Sequence, residues 1–379
     1  GALDMALIVS DKPCTAAAVF TTNQVKAAPV LVDMEVLANN NTHIRAVAVN
    51  TKCANACTGE QGIANAQQTA KLAAEALGIG ADEVIVMSTG VIGTQLPMDK
   101  IAQGIHAASD SLGDHWDAAS HAIMTTDTRP KRAFVTVTTS DGKQYHIAGI
   151  TKGAGMIAPN MATMLGFIVT DAALDPQQAA DTLFACADQT YNRIVVDGDT
   201  STNDSVFLLA NGASGVTIDG AARDQFAEAL TSVCKKLAQD VVRDGEGATK
   251  FITLHVNGAP DNADARKIAN TIGTSPLVKT AFYGGDANWG RIVAAAGRAG
   301  IDLDPQKMKL WFAADEEAEK LLLFSAGMPT NYSEAQATEL VKAPSVVVTL
   351  DCGIGSGTAT IWTCDLSHDY VSINGHYRT

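Results

Sequence analysis

The chain has 379 residues, with 27 Lys and Arg against 41 Asp and Glu, a formal charge of −14. Apolar residues make up 46% and charged residues 18%, which excludes a disordered chain. The acidic balance and the lack of any Lys/Arg run exclude a polyanion binder, and no stretch of about 18 apolar residues is present to span a membrane.

The length predicts two to three domain-sized units, or one large unit with an appendage. Ala6–Ser10 and residues 44–51 read as strands, and a helix follows over 64–78, where Gly78 stops it. Val84–Met87 is a short buried strand that runs into a turn of small residues, Ser88-Thr-Gly-Val-Ile-Gly93. Two helices are predicted over 98–112 and 115–124. A hairpin comes next, with Ala133–Thr139 and Tyr145–Thr151 joined by Ser140-Asp-Gly142.

The segment Lys152-Gly-Ala-Gly-Met-Ile-Ala-Pro-Asn-Met-Ala-Thr163 breaks every periodicity and reads as a loop. Thr163–Thr170 is then a buried strand, Asp175–Gln189 a helix, Asp204–Leu209 a strand and Asp219–Asp240 a long amphipathic helix. Phe251–Val256 is another strand. From about 264 the order is helix, helix, strand, helix, strand, strand, ending at Thr358–Cys364, with a polar tail over Ser367–Thr379. Alternating strands and helices with hairpins predict an α/β chain with mixed or layered sheets rather than one purely parallel sheet.

Several motifs are set aside on their chemistry. Gly153-Ala-Gly155 lacks the third glycine and the acidic residue of a dinucleotide loop, and lacks the Gly-Lys-Ser/Thr of a nucleotide-phosphate loop. Asp197-Gly-Asp-Thr-Ser-Thr-Asn-Asp204 starts like a calcium loop, but Thr202 and Leu208 stand where Gly and Glu are needed. That stretch reads either as a turn closed by its own side chains or as active-site scaffolding. The seven cysteines, of which only Cys53 and Cys57 are close, read as reduced thiols of a cytoplasmic protein rather than as a zinc site.

Thr163 attracts attention on chemical grounds. A threonine hydroxyl is a weak nucleophile until a base lies beside it. Cutting the chain before the residue supplies that base as its own α-amine, whose reference pKa of about 7.7–8.0 leaves part of it neutral near physiological pH. The β-branch stiffens χ1 and helps hold Oγ in place.

The whole segment from Lys152 to Leu165 resembles the processing site of the ornithine acetyltransferase / glutamate N-acetyltransferase family of arginine biosynthesis. Other segments agree in order: Val19-Phe-Thr-Thr-Asn23, Val25-Lys-Ala-Ala-Pro29, Ala54-Asn-Ala-Cys-Thr-Gly59, Ser88–Gly93, Met124-Thr-Thr-Asp-Thr128, Val196–Asn203, Gly245-Glu-Gly-Ala-Thr-Lys250 and Asn288-Trp-Gly-Arg-Ile292. The chain departs from the common family pattern at Lys52-Cys53 and at Ala287, and its start is shorter, so an N-terminal strand is expected to be missing.

The resemblance implies an α/β/β/α sandwich of the self-processing, N-terminal-nucleophile-like type over 1–263. A smaller α/β domain over 264–379 would return its tail to the active site. It implies self-cleavage between Ala162 and Thr163 into chains 1–162 and 163–379, associating as a heterotetramer of two of each. Thr163 would carry acetyl from N-acetylornithine to glutamate, with acetyl-CoA a possible second donor and no metal or organic cofactor. Thr89 and Gly90 correspond to the oxyanion hole. Thr126, Lys152, Thr163, Glu246, Asn374 and Thr379 correspond to substrate contacts, with Lys152 suited by charge to a carboxylate and Glu246 to a distal ammonium. Neither nucleic acid nor membrane is an expected partner. Two other readings share the framework: a hydrolase whose acyl-Thr163 is resolved by water, and a non-cleaving binding homologue.

Overall fold

Residues 46–49 and 84–87 are apolar at every position, which suits strands covered on both faces. In the computed structural model, which describes residues 3–158, 164–220 and 222–376, they are central to the strands at one end of a sheet. The strands in chain order are β1 (Met5–Phe20), β2 (Ile44–Asn50), β3 (Val84–Ser88), β4 (Lys131–Thr138), β5 (Gln144–Lys152), β6 (Leu165–Thr170) and β7 (Ile194–Val195). They continue as β8 (Ser205–Ala210), β9 (Phe251–Ala259), β10 (Lys309–Ala313), β11 (Leu321–Ser325), β12 (Met328–Pro329), β13 (Ser345–Asp351) and β14 (Gly357–Cys364). The helices are α1 (Ala28–Asn39), α2 (Gly59–Leu77), α3 (Met98–Asp110), α4 (Trp116–Ala122), α5 (Pro176–Gln189) and α6 (Ala222–Arg243). After them come α7 (Asn262–Gly273), α8 (Pro276–Tyr283), α9 (Trp289–Gly297), α10 (Glu334–Lys342) and α11 (His368–His376). The class is mixed α/β, as the alternating pattern predicts.

The described residues form two compact units, each with its own seven-stranded mixed sheet. The first unit takes residues 3–192 and 199–241. Its strand order is β3-β2-β1-β8-β6-β5-β4. The long β1 serves two neighbours: Met5–Val9 pair antiparallel with β2, and Thr15–Phe20 pair antiparallel with β8. Between them the register breaks around Pro13, which has no N–H to give a ladder. β2 with β3, and β6 with β8, are parallel, each pair crossing over through helices.

Strand alternation sorts the core. Ala46, Ala48, Val84 and Val86 pack with Ala66, Ala70, Ala73 and Ala74 of α2 and with Ile101 and Ile105 of α3. Val47, Val49, Ile85 and Met87 point the other way, into a cluster with Phe167, Phe207 and Ile123. The alanines on α2 recur at helical spacing, and Gly78, at φ +67°, ends that helix in the left-handed conformation.

The second unit takes residues 193–198 and 242–376. Its order is β12-β11-β10-β13-β9-β14-β7. β9 sits inside this sheet, parallel to β13 and antiparallel to β14. Ile252, Leu254, Val346, Val348, Ile268, Ile272, Phe282 and Ile292 share its core. This division differs from the expected boundary after residue 263. Because β9 is hydrogen-bonded on both edges to later strands, it groups with the C-terminal unit, and the division falls near residue 241.

Other differences are local. Trp289–Gly297 is an additional helix, started by Asn288, whose side chain accepts from the Arg291 N–H. The polar tail holds helix α11, which buries none of its residues and so leaves no apolar periodicity to detect.

Candidate active site

β3 ends at Ser88, and the chain turns through Thr89 and Gly90 against the strand-like residue Cys53. The Thr89 N–H donates to Asn50 O (3.0 Å), the Val91 N–H to Lys52 O (3.2 Å) and the Ala54 N–H to Val91 O (3.0 Å). Gly90 has φ +133°, and a Cβ there would run into the backbone of Lys52 and Cys53. Position 90 therefore requires glycine.

The polar stretch after Asp197 supports this turn. Asn203 Nδ2 donates to Ala54 O (2.6 Å) and to Ser88 O (2.8 Å), joining the two segments of the turn. Thr202 Oγ1 donates to Asn203 Oδ1 (2.6 Å) and fixes the amide's orientation. Thr21 Oγ1 and Asn23 Nδ2 donate to the carbonyls of Ser201 (2.6 Å) and Thr200 (2.8 Å). Of the two readings left open for this segment, scaffolding describes it better than a self-closed turn.

Lys152, the last residue of β5, is only 3% exposed. Its Nζ donates to Thr125 Oγ1 (2.7 Å) and to Thr89 Oγ1 (3.2 Å), and lies 4.0 Å from Asp127 Oδ2. It is thus no solvated surface charge. Asp127 is buried beside it. Asp127 Oδ1 accepts from Lys131 Nζ (2.5 Å) and from the Gly153 N–H (2.7 Å), and Oδ2 accepts from the Thr125 N–H (3.1 Å). Burial pushes the Asp127 carboxyl up, but Lys152, Lys131 and the Gly153 N–H outweigh it and hold the group below the ordinary carboxylate range.

The sequence marked Thr126 in this loop. Thr126 is half-buried, and it is its neighbour Thr125 that meets Lys152. Asp127 lies inside a quoted motif without having been singled out, and Lys131 was missed altogether. The available signal was an Asp and a Lys four residues apart, which off a helix says nothing about burial.

Asp204 is fully buried, and its Oδ1 accepts from the Met164 N–H (2.9 Å). Burial pushes this carboxyl well above its ordinary range, against the pull of the Met164 N–H and of Lys152. A carboxyl raised in this way stabilises the fold below its unfolded pKa and loses that contribution as pH rises through the folded value. Asp204→Asn, which keeps an acceptor for Met164, is expected to flatten the fall of melting temperature as pH rises above the ordinary carboxylate range. Equal slopes for variant and parent would show that Asp204 carries no such linkage.

In the second unit, Asn374 Nδ2 of α11 donates to Glu246 Oε2 (2.7 Å), and Glu246 is 9% exposed. The loop and the tail are held to each other. Ser367 Oγ donates to Gly247 O (2.6 Å), and Asp365 Oδ1 accepts from the N–H groups of Thr249 (2.8 Å) and Lys250 (2.9 Å). Thr89, Gly90, Thr126 and Lys152 thus gather in the first unit, and Glu246 and Asn374 meet in the second. Ala162, Thr163 and Thr379 lie outside the described residues. A cavity of about 620 Å³ between the first half of β1 and helices α3 and α4 is lined by none of these residues. Among the described residues, no group of three or more His, Cys, Asp or Glu is placed to hold a metal ion, and no helix is long and apolar enough to cross a membrane.

Comparison with known proteins identifies the family of the chain. The family model named ArgJ family matches residues 1–379. The "Arginine biosynthesis bifunctional protein ArgJ" of Geobacter sulfurreducens is 49% identical over 385 aligned positions, covering 100% of this chain and 95% of its own. The protein of the same name from Thermotoga neapolitana is 48% identical, covering 99% of this chain and 95% of its own. A crystal structure of the ArgJ protein from Bacillus halodurans is 39% identical with a TM-score of 0.52, over 56% of this chain and 98% of that one. A match across the full length, with relatives near half identity, shows that this chain belongs to the ArgJ family.

Proposed function

We propose that the chain cuts itself between Ala162 and Thr163 and then moves acetyl from N-acetylornithine to glutamate through an ester on Thr163. The enzyme class, a glutamate N-acetyltransferase / ornithine acetyltransferase of arginine biosynthesis, follows from the family. The observation that carries the acyl-transfer chemistry is the buried Lys152 ammonium on the hydroxyl of Thr89, beside a glycine that no other residue can replace. Donors fixed in a water-poor turn are what a tetrahedral oxyanion requires.

The neutral α-amine of Thr163 takes the Oγ proton as Oγ attacks the acetyl carbonyl. Negative charge on the carbonyl oxygen is met by Thr89 and Gly90. Collapse breaks the amide bond, and the proton passes to the departing α-nitrogen of ornithine. The glutamate amine then attacks the acetyl ester, and its proton returns through the α-amine to Oγ. Self-cleavage begins with Oγ attacking the Ala162 carbonyl and ends with hydrolysis of the ester. Glu246, held by Asn374, offers a carboxylate to the distal ammonium of ornithine. Lys152, Thr126 and Thr379 complete the contacts that the family motifs carry over.

No metal or organic cofactor enters this scheme. The working enzyme is read as two chains 1–162 and two chains 163–379, with neither nucleic acid nor membrane as partner. Seven free cysteines, six of them buried, support a reducing, cytoplasmic setting.

The experiment is an acceptor comparison. Cleaved enzyme given N-acetylornithine is expected to release ornithine in quantity only when glutamate is present, with N-acetylglutamate formed one for one. Acetyl-CoA replaces N-acetylornithine in a second arm to test entry into the same ester. Ornithine release at one rate with and without glutamate would make the protein a hydrolase and end the transfer reading.

A further inference from the structure

The ammonium of Lys152 has a carboxylate within reach yet does not close on it. Asp127 Oδ2 lies 4.0 Å from Lys152 Nζ, whereas Asp127 Oδ1 sits 2.5 Å from Lys131 Nζ, and the Lys131 side chain is 1% exposed. Lys152 Nζ donates to two hydroxyls, Thr125 Oγ1 at 2.7 Å and Thr89 Oγ1 at 3.2 Å. An ammonium has three donors and no acceptor, so Thr89 Oγ1 must accept from it. The single proton of the Thr89 hydroxyl is then left to be donated elsewhere, and acceptance from a cation strengthens that donation.

Resting on the acetyl-transfer reading above, we propose that Lys131 and Asp127 are positioning residues for the oxyanion hole. Lys131 occupies the Asp127 carboxylate and keeps it from drawing Lys152 away. Lys152 therefore stays on Thr89 and keeps that hydroxyl free to donate to the substrate oxygen. The Asp127 contacts to the N–H groups of Thr125 and Gly153 fix the same carboxylate to the segment that carries Lys152 and to the one that carries its partner Thr125.

A double-mutant cycle separates this role from a merely structural buried ion pair. The proteins are wild type, Lys131→Met, Thr89→Ala and the double variant, each assayed on mass-verified cleaved enzyme with N-acetylornithine and glutamate. Lys131→Met leaves Lys152 as the remaining cation beside Asp127, and is expected to lower kcat by about 10- to 30-fold with KM within about twofold. Thr89→Ala is expected to lower kcat by about 10²- to 10³-fold. The double variant is expected to match Thr89→Ala within about threefold, since Lys131 acts through a hydroxyl that is already gone.

Losses that multiply would overturn the proposal and leave the acetyl-transfer reading standing. A Thr89→Ala enzyme with unchanged kcat would remove the oxyanion reading, and the positioning role with it. Thr125→Val removes the second hydroxyl on Lys152 without changing any charge, and must show the same non-additivity with Thr89→Ala. It covers the case in which Lys131→Met does not fold or mature.

Discussion

Thr163→Ala is expected to run as one intact chain under denaturing conditions, while the parent sequence yields chains 1–162 and 163–379. The same variant is expected to lose acetyl transfer by on the order of 10⁴-fold or more, because one atom serves both reactions. Without Oγ nothing attacks the Ala162 carbonyl, and without the cut there is no α-amine to act as base. Thr163→Ser keeps the hydroxyl but loses the methyl that stiffens χ1, so it should still cleave, more slowly. The described residues on either side of 159–163 carry a left-handed backbone position and a buried hydrogen bond. Upstream, Met156 lies in the left-handed region at φ +58°, a conformation costly for a residue with a Cβ. Downstream, Asp204 holds the Met164 N–H from a fully buried position. Intact mass of parent and variant decides the matter. Fragments from Thr163→Ala, or an uncut parent that still transfers acetyl, would each remove Thr163 from the centre of the mechanism.

What the sequence made legible depended on how local the cause was. Val84–Met87 and the hairpin over 133–151 are specified by neighbouring residues, and both form where the pattern puts them. The second half of β1 is different. Thr15–Phe20 carries three successive alanines, a weak strand signal, and becomes a strand because β8, nearly two hundred residues later, pairs with it. β9 likewise reads as a strand in isolation, but its sheet is set by β13 and β14. The same limit applies to the site. Lys152 could be recognised by motif, yet its burial and its hold on Thr89 depend on Asp127, Thr125 and the turn after β3. No spacing rule connects those positions. The polar run before Asp204 showed an excess of small side chains and no more, since its work is to tie Ala54 to Ser88.

Thr89→Ala tests the oxyanion hole itself. The substitution removes one hydroxyl and leaves the backbone bond from the Thr89 N–H to Asn50 O in place, so the turn should keep its path. Binding of N-acetylornithine should change little, because a neutral acetyl oxygen asks less of a donor than the oxyanion does. The loss should therefore fall on kcat, by about 10²- to 10³-fold, or about 3–4 kcal/mol of transition-state stabilisation. Thr89→Ser should retain most of the rate, since the hydroxyl and its contact with Lys152 survive. Gly90→Ala answers a different question. Its Cβ would meet the Lys52 and Cys53 backbone, so that variant should lose folded protein rather than kcat alone. The comparison is diagnostic because the two neighbours are expected to fail in different measurements. If Thr89→Ala instead raised KM and spared kcat, Thr89 would be a ground-state contact, and the charge on the tetrahedral intermediate would have to be met by groups other than this hydroxyl.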